Sequence, residues 1–423
     1  MTAKIAVTSL FKIFGGSQDA ALRMLKRGEG KEVILKATGA TVAVQDASFE
    51  VAEGEIFVVM GLSGSGKSTL VRLLNGLIPP TSGQIIIEGQ DVAKAKGEAL
   101  RAIRRSTITM VFQHFALFPH WTVAENAAYG LKIKGVAPDE RRKKALAVLE
   151  QVGLAAWADS LPGDLSGGMQ QRVGLARGLA SDPQVLLMDE PFGALDPLIR
   201  REMQEELLEL QKKLKKTIVF ITHDLNEALL LGDKIAIMKD GRFVQVGTAQ
   251  DIVSNPADDY VRAFVADIDR GRVFTARDVS NVPVTVQLHT DSAEDALRRM
   301  EESQLDALYV LDGDSVSGVV THRDVSAALR RNGPGSATLG ASMITDFSAV
   351  KEDTYLHELY GPAGVGLPIA VTDDDNRLLG VVETQAVLAQ LDSESAQLPA
   401  PQQPAAEVTD ADNPASHTKE VVK

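Results

Sequence analysis

The apolar run Ile56-Phe-Val-Val-Met60 stops at Gly61 and opens into Gly61-Leu-Ser-Gly-Ser-Gly66-Lys67-Ser68, followed by the helical pattern Thr69-Leu-Val-Arg-Leu-Leu. An uninterrupted apolar strand is comfortable only where both faces are covered, which implies a mainly parallel sheet between other layers. A strand, a glycine loop and a helix at this spacing form a phosphate cradle. Gly61 and Gly66 let backbone N–H groups turn toward the phosphates, and the helix N-terminus adds partial positive charge. Lys67 is placed to reach the β- and γ-phosphates of a nucleotide, and Ser68 to hold Mg2+ through its hydroxyl.

The same strand pattern recurs at Val185–Met188 and Ile218–Ile221, with helical segments at Asp139–Gln151 and Pro197–Lys216. This is an α/β layout, and such sheets bind ligands at the carboxyl ends of their strands. Each end carries chemistry. Asp189 suits a water-mediated hold on Mg2+, and Glu190 can orient and deprotonate an attacking water. Gln113, after Ile108–Val111, can touch both metal and water. His223, after the third run, can bond the γ-phosphate and hold Glu190. Ser166-Gly167-Gly168 opens a further helix whose first N–H groups lack internal partners, a second anion site. One chain thus offers two phosphate-binding helix ends, and both are used if two copies pack head to tail. Asp196, in Gly193-Ala-Leu-Asp, could cross that interface.

At 423 residues, two or three domains are expected. The chain has no cysteine, which excludes disulfides and thiolate metal sites. The first residues do not form a secretory signal, and no run of about 18 apolar residues occurs, so a soluble cytoplasmic chain is expected. The net charge of −13 is unevenly placed: residues 1–270 hold 33 basic and 33 acidic residues, whereas 271–423 hold 11 and 24. That asymmetry argues for a boundary near 270 and against nucleic acid as the partner of the C-terminal part; no nucleic-acid partner is expected. Residues 15–40, rich in Lys and Arg, read as a solvated helical insertion. Beyond 270 an approximate repeat of roughly 60 residues reads helix, strand, acidic turn, strand, helix. From 392 on, polar and acidic composition predicts a disordered tail.

In this order the motifs resemble those of ABC transporter ATP-binding subunits over 1–267. The resemblance implies an α/β P-loop ABC-type nucleotide-binding domain with a helical subdomain, requiring ATP and Mg2+. It maps Walker A onto 61–69, adding Ser63, Gly64 and Thr69 to the ATP contacts, the Q-loop onto Gln113 and the signature onto 165–169. Walker B falls on 185–190, the D-loop on 194–196 and the switch histidine on His223. The signature departs at Met169, where glutamine is usual. The family pairs two subunits in an ATP sandwich and docks a membrane permease between Q-loop and signature helices, near Phe112, Phe115, Phe118 and Trp121.

Phe11-Lys-Ile-Phe14-Gly, the 15–40 insertion, Met110-Val-Phe-Gln-His-Phe-Ala-Leu-Phe-Pro-His and Asp196-Pro-Leu-Ile-Arg are similar to the glycine betaine/proline (quaternary amine) importers. That likeness implies osmoprotectant uptake, with a substrate-binding protein or domain acting through the permease, at the cytoplasmic face of the inner membrane. Phe14 resembles the aromatic that stacks on adenine. The repeat at 271–391 is similar to a tandem CBS pair, whose nucleotide sites use residues at the places of Thr321 and Asp324; Glu383 and Ala386 depart in the second copy. Thr321 and Asp324 equally suit a helix cap. An importer of another solute, or a soluble ABC ATPase, is the alternative; the coiled-coil insertion and second cassette of the soluble types are not seen here.

Overall fold

The computed structural model describes residues 3–113, 116–333 and 337–391; Phe115 and the tail expected to be disordered lie outside the described residues. A six-stranded sheet runs in the order Arg242–Gly247, Lys234–Lys239, Ile56–Met60, Thr217–Thr222, Val185–Asp189, Ile108–Val111. All neighbours are parallel except the edge hairpin Lys234–Gly247. Every residue of Ile56–Met60 and of Thr217–Thr222 is buried, as both-faced coverage requires.

Alternation along these strands feeds two apolar layers. Val58, Met60, Leu186, Met188 and Phe220 face the helices Val123–Ala127, Pro138–Gln151, Gly167–Leu179 and Pro197–Leu214. Phe57, Val59, Leu187 and Val219 face the helix Lys67–Leu74 and a four-stranded antiparallel sheet, in which Ala3–Phe14 lies between Thr41–Ala52 and Ser82–Ile87. Phe49 of that sheet stacks on Phe57 with ring centroids 4.8 Å apart.

The insertion corrects the expectation of a solvated excursion. Its helices Gln18–Lys26 and Lys31–Thr38 bury Ala21 and Ile34 against Ile13, Ala40 and Val42, so it carries a small core of its own; Arg23, Lys26, Arg27 and Lys36 stay exposed, and Lys31 is half-buried.

Beyond residue 270 the repeat takes the same form twice: a short strand parallel to the first arm of a hairpin, then a helix. The strands are Thr285–Gln287, Ala307–Asp312 and Ser315–Thr321 in the first half, and Ala349–Val350, Ile369–Thr372 and Leu378–Val382 in the second. The halves meet through Tyr309, Val316, Val319 and Ala370. The second half also shares its core with the N-terminal part of the chain, where Val253, Leu229, Ala249 and Ile268 pack with Leu356, Leu359 and Ile369.

Tyr309 is 1% exposed and its hydroxyl donates to the Pro368 carbonyl at 2.6 Å, while burial pushes the phenol well above its ordinary pKa. Tyr309→Phe removes that donor and should cost about 1–2 kcal/mol, read as a lower urea unfolding midpoint.

Candidate active site

Gly61, Gly64 and Gly66 have φ of 148°, 80° and 110°, values that side chains with a Cβ rarely adopt. A Cβ on Gly61 would strike the Met238 carbonyl and one on Gly66 the Ala43 carbonyl, whereas Gly64 faces open space. Gly66 caps the helix Lys67–Leu74. The Lys67 ammonium folds back onto the carbonyls of Gly61 (2.7 Å) and Leu62 (3.1 Å). Burial lowers its pKa, opposed by the carboxylates of Glu190 and Asp189. Ser65 is buried in the same loop, and its Oγ has no hydrogen-bond partner among the described residues. Ser63 and Gly64 are exposed and Thr69 is half-buried in the first helical turn.

Parallel register brings the other strand ends to this edge. Met60 pairs with Thr222, Asp189 with Ile221 and Val111 with Met188, so Gly61, His223, Glu190 and Gln113 follow strand ends that lie in line. Ser68 Oγ donates to Asp189 Oδ1 at 3.1 Å. Glu190 has φ 46°, left-handed for a residue with a Cβ, which costs on the order of 1–3 kcal/mol. Its N–H donates to the Ile221 carbonyl at 3.0 Å, which holds the strained turn. The carboxylate is thereby presented to two side chains: Glu190 Oε2 lies 3.1 Å from His223 Nδ1 and accepts from Gln113 Nε2 at 3.5 Å.

The signature segment is not joined to this cluster. Ser166 caps the helix Gly167–Leu179, its Oγ accepting from Met169 N–H at 3.3 Å, and Ser166 and Gly167 are exposed. Gly168 is needed for packing, since a Cβ there would lie 2.5 Å from Ile199 Cγ2. Met169 is half-buried against the helical apolar layer. Asp196 caps the helix Pro197–Leu214 by accepting from Ile199 N–H at 3.1 Å. Phe14 ends the strand Ala3–Phe14 with 41% exposure, opposite Thr41, and the Lys12 ammonium lies 4.8 Å from its ring centroid.

Phe112 borders a largely apolar groove of about 650 Å³ with Met110, Phe118, Tyr129 and Ile133. Phe118, Trp121 and Tyr129 also pack on one another, so core packing accounts for much of this aromatic cluster. A second cleft, of about 550 Å³, lies between the repeat halves and is bordered by Thr321, Arg323, Pro368 and Glu383. Thr321 caps the helix His322–Asn332: its Oγ1 accepts from Asp324 N–H at 3.1 Å and donates to Asp324 Oδ2 at 2.7 Å. The pair is therefore engaged as a cap.

Residues that sequence reasoning passed over surround the cluster. Ser65 was hidden among loop glycines, and Glu227 with Gln204 lies beneath His223. The only signal for Glu227 is its place three residues after Asp224, a capping-box spacing; its side chain instead turns inward.

The strand-end geometry defines a P-loop ATPase with a separated signature helix. The family model described as "ABC transporter" matches residues 44–193 and that described as "CBS domain" matches 276–331. The chain is 47% identical over 399 residues to the glycine betaine/proline betaine transport ATP-binding protein ProV of Salmonella typhimurium, covering 93% of this chain and 99% of that one. It is 48% identical to the glycine betaine transport ATP-binding protein OpuAA of Bacillus subtilis, covering 92% of each. Among solved structures, cbiO1 of Clostridium perfringens, part of the cbiONQ transporter complex, aligns with TM-score 0.51 and 27% identity over 64% of this chain and 98% of that one. The chain belongs to the ATP-binding subunits of ABC transporters, in the glycine betaine/proline importer family, and is an ATPase.

Burial raises the Asp189 carboxyl above its ordinary pKa, opposed by the Ser68 hydrogen bond. A carboxyl raised on folding binds more protons folded than unfolded, so its ionisation destabilises the fold as pH climbs from the unfolded to the folded value. Asp189→Asn removes that penalty. We expect a higher melting temperature at neutral pH without nucleotide, a difference that shrinks toward the acid end of a calorimetric pH series.

Proposed function

We propose that the chain hydrolyses ATP as one of two identical subunits and so drives import of a quaternary-amine solute, such as glycine betaine or proline betaine, through a membrane permease. The observation that carries the chemistry is the convergence of His223 and Gln113 on one oxygen of Glu190, beside the phosphate loop. The cargo follows the relatives' names, since the full-length match reaches through the repeat.

In this reading the β- and γ-phosphates enter the glycine loop, where the Lys67 ammonium exchanges two backbone carbonyls for phosphate oxygens. Ser63, Gly64, Gly66 and Thr69 line the cradle, and the unpartnered Ser65 hydroxyl is the orphaned polar atom such a ligand would satisfy. The donor set fits Mg2+: the hard oxygens of Ser68 and Asp189 lie within hydrogen-bond reach of each other, and they would hold the ion beside the phosphates, Asp189 through water. The ion would neutralise charge developing on the phosphates. Glu190 takes the proton of the attacking water as its oxygen bonds the γ-phosphorus, and the bond to the ADP oxygen breaks. His223 and Gln113 keep that carboxylate aimed, and His223 reaches the γ-phosphate.

Ser166, Gly167 and Gly168 complete the site of a second copy packed head to tail, with Asp196 at the same interface. The exposure of Ser166, Gly167 and Asp196, and the separation of the signature segment from the Lys67 cluster within one chain, support this. Phe14 stacks on adenine, and the groove beside Phe112 and Phe118 receives the permease, which in turn meets a substrate-binding protein or domain. Attachment to the cytoplasmic face runs through the permease; among the described residues no helix is long and apolar enough to cross a membrane. The 271–391 region acts as a tandem CBS regulator of uptake under osmotic stress. The inter-half cleft is the place for an adenine nucleotide, although Thr321 and Asp324 would have to give up part of their mutual cap to hold one.

Glu190→Gln should bind ATP with near-normal affinity and lose at least about a hundredfold in turnover; hydrolysis near the parent rate refutes the assignment. Uptake of labelled betaine, proline and choline by the reconstituted complex across a salt series tests cargo and control together. Removing 271–423 should keep ATPase activity and change the salt response, and an unchanged response counts against CBS control. Calorimetry of the full chain with AMP and ATP, in a Lys67→Ala background, tests the inter-half cleft; no residual heat removes it as a nucleotide site.

A further inference from the structure

Beneath the His223 loop lies a polar cluster that the catalytic chemistry leaves unused. Thr222, Glu227 and Gln204 are 1%, 5% and 8% exposed, within the apolar layer that contains Phe220, Met203 and Leu207. Glu227 Oε1 accepts from Gln204 Nε2 at 2.9 Å, and Oε2 accepts from the Thr222 hydroxyl. Thr222 Oγ1 accepts in turn from Asp224 N–H at 3.0 Å. One buried carboxylate therefore anchors the residues on both sides of His223.

The far end of the cluster belongs to the helix that Asp196 caps. Gln204 projects from Pro197–Leu214. One turn after the cap, Arg200 donates to the Leu195 carbonyl at 3.1 Å and stands 3.7 Å from Asp224. The Asp196 loop and the His223 loop thus share two polar links, one buried and one half-exposed.

Stability alone does not account for this arrangement. Burial pushes the Glu227 carboxyl above its usual range, opposed by the Thr222 and Gln204 hydrogen bonds. Burying a carboxylate costs several kcal/mol, and apolar residues of similar volume often replace such a group with no loss of stability. Apolar contact lacks direction, however. Two directed bonds to one carboxylate fix the rotation of Thr222 and the turn after it, and so the place of the next ring along the chain.

We propose that Glu227 is a positioning residue that seats His223 against Glu190, with Gln204 and Arg200 linking that seat to the Asp196 loop. Hydrolysis in a subunit then depends on where its own Asp196 loop rests at the dimer face. The inference rests on the Glu190–His223 reading of hydrolysis given above.

The test uses the full chain and compares Thr222→Val/Gln204→Leu/Glu227→Leu, Glu227→Gln and Glu190→Gln. Turnover, ATP affinity by fluorescence titration and thermal midpoint are measured for each. The triple variant should keep or raise the midpoint and hold ATP affinity within about twofold, yet lose at least about tenfold in kcat, the signature of a contribution made after binding. Glu227→Gln, which keeps one acceptor oxygen, should show a smaller kcat loss at unchanged affinity. Parent-like kcat in either variant overturns the proposal, as does a kcat loss that only tracks a falling midpoint. If the triple variant does not fold, Glu227→Gln decides alone. Normal hydrolysis by Glu190→Gln would instead remove the hydrolytic reading and this inference with it.

Discussion

The site depends on strand register. Parallel pairing sets Met60 level with Thr222, and Asp189 level with Ile221, so the loops that follow leave the sheet along one line. A slip of one residue would send Met60, Met188 and Phe220 from the helical layer to the opposite one. It would also pull Glu190 away from His223. The two apolar layers therefore hold the catalytic edge in place, and their most buried residues serve it without touching it.

Around that edge the protein accepts local costs. Glu190 stays in a left-handed backbone conformation, Asp189 is half-buried against its preference for charge, and Lys67 satisfies its ammonium on backbone carbonyls. The backbone strain at Glu190 and the desolvation of the Asp189 and Lys67 charges cost stability, as functional sites commonly do. The surrounding packing over-determines the site enough to hold it: the Glu190 turn alone is clamped by a neighbouring strand carbonyl and by two side chains.

Much of this is legible in the amino-acid sequence, for a physical reason. Ile56–Met60 and Ile218–Ile221 are apolar on both faces, so their placement in a buried parallel sheet follows from burial alone, and the polar residues ending them must lie at one edge. The small core of the insertion is harder to read: residues 20–25 and 33–35 are mainly apolar, but basic residues interrupt and flank them, the two helices are short, and Val33 and Leu35 stay exposed while Ala21 and Ile34 are buried. Thr321 with Asp324 shows the opposite limit, since a cap and a ligand site require the same residue types. Glu227 escaped because a buried carboxylate cannot be told from a surface one by residue type, and its partners Thr222 and Gln204 lie on separate elements.

Of the segments that join the two halves of the molecule, one helix also reaches the histidine loop. Leu225–Leu231 begins one residue after Asp224, which caps it, and its first turn supplies Glu227 to the cluster under His223. Further along, Leu229 packs against both the helical layer of the ATPase and the core of the second repeat half. Close packing does not let such a shared residue move with one core and stay with the other. A rearrangement of the second half that reaches Leu229 is thus either absorbed there, opening a void, or passed along a helix of two turns to the histidine loop. Because Leu225, Ala228 and Leu231 of that helix are buried in the ATPase layer, its freedom is small. Displacements of a fraction of an ångström are the scale that a hydrogen bond of 3.1 Å between His223 and Glu190 would register.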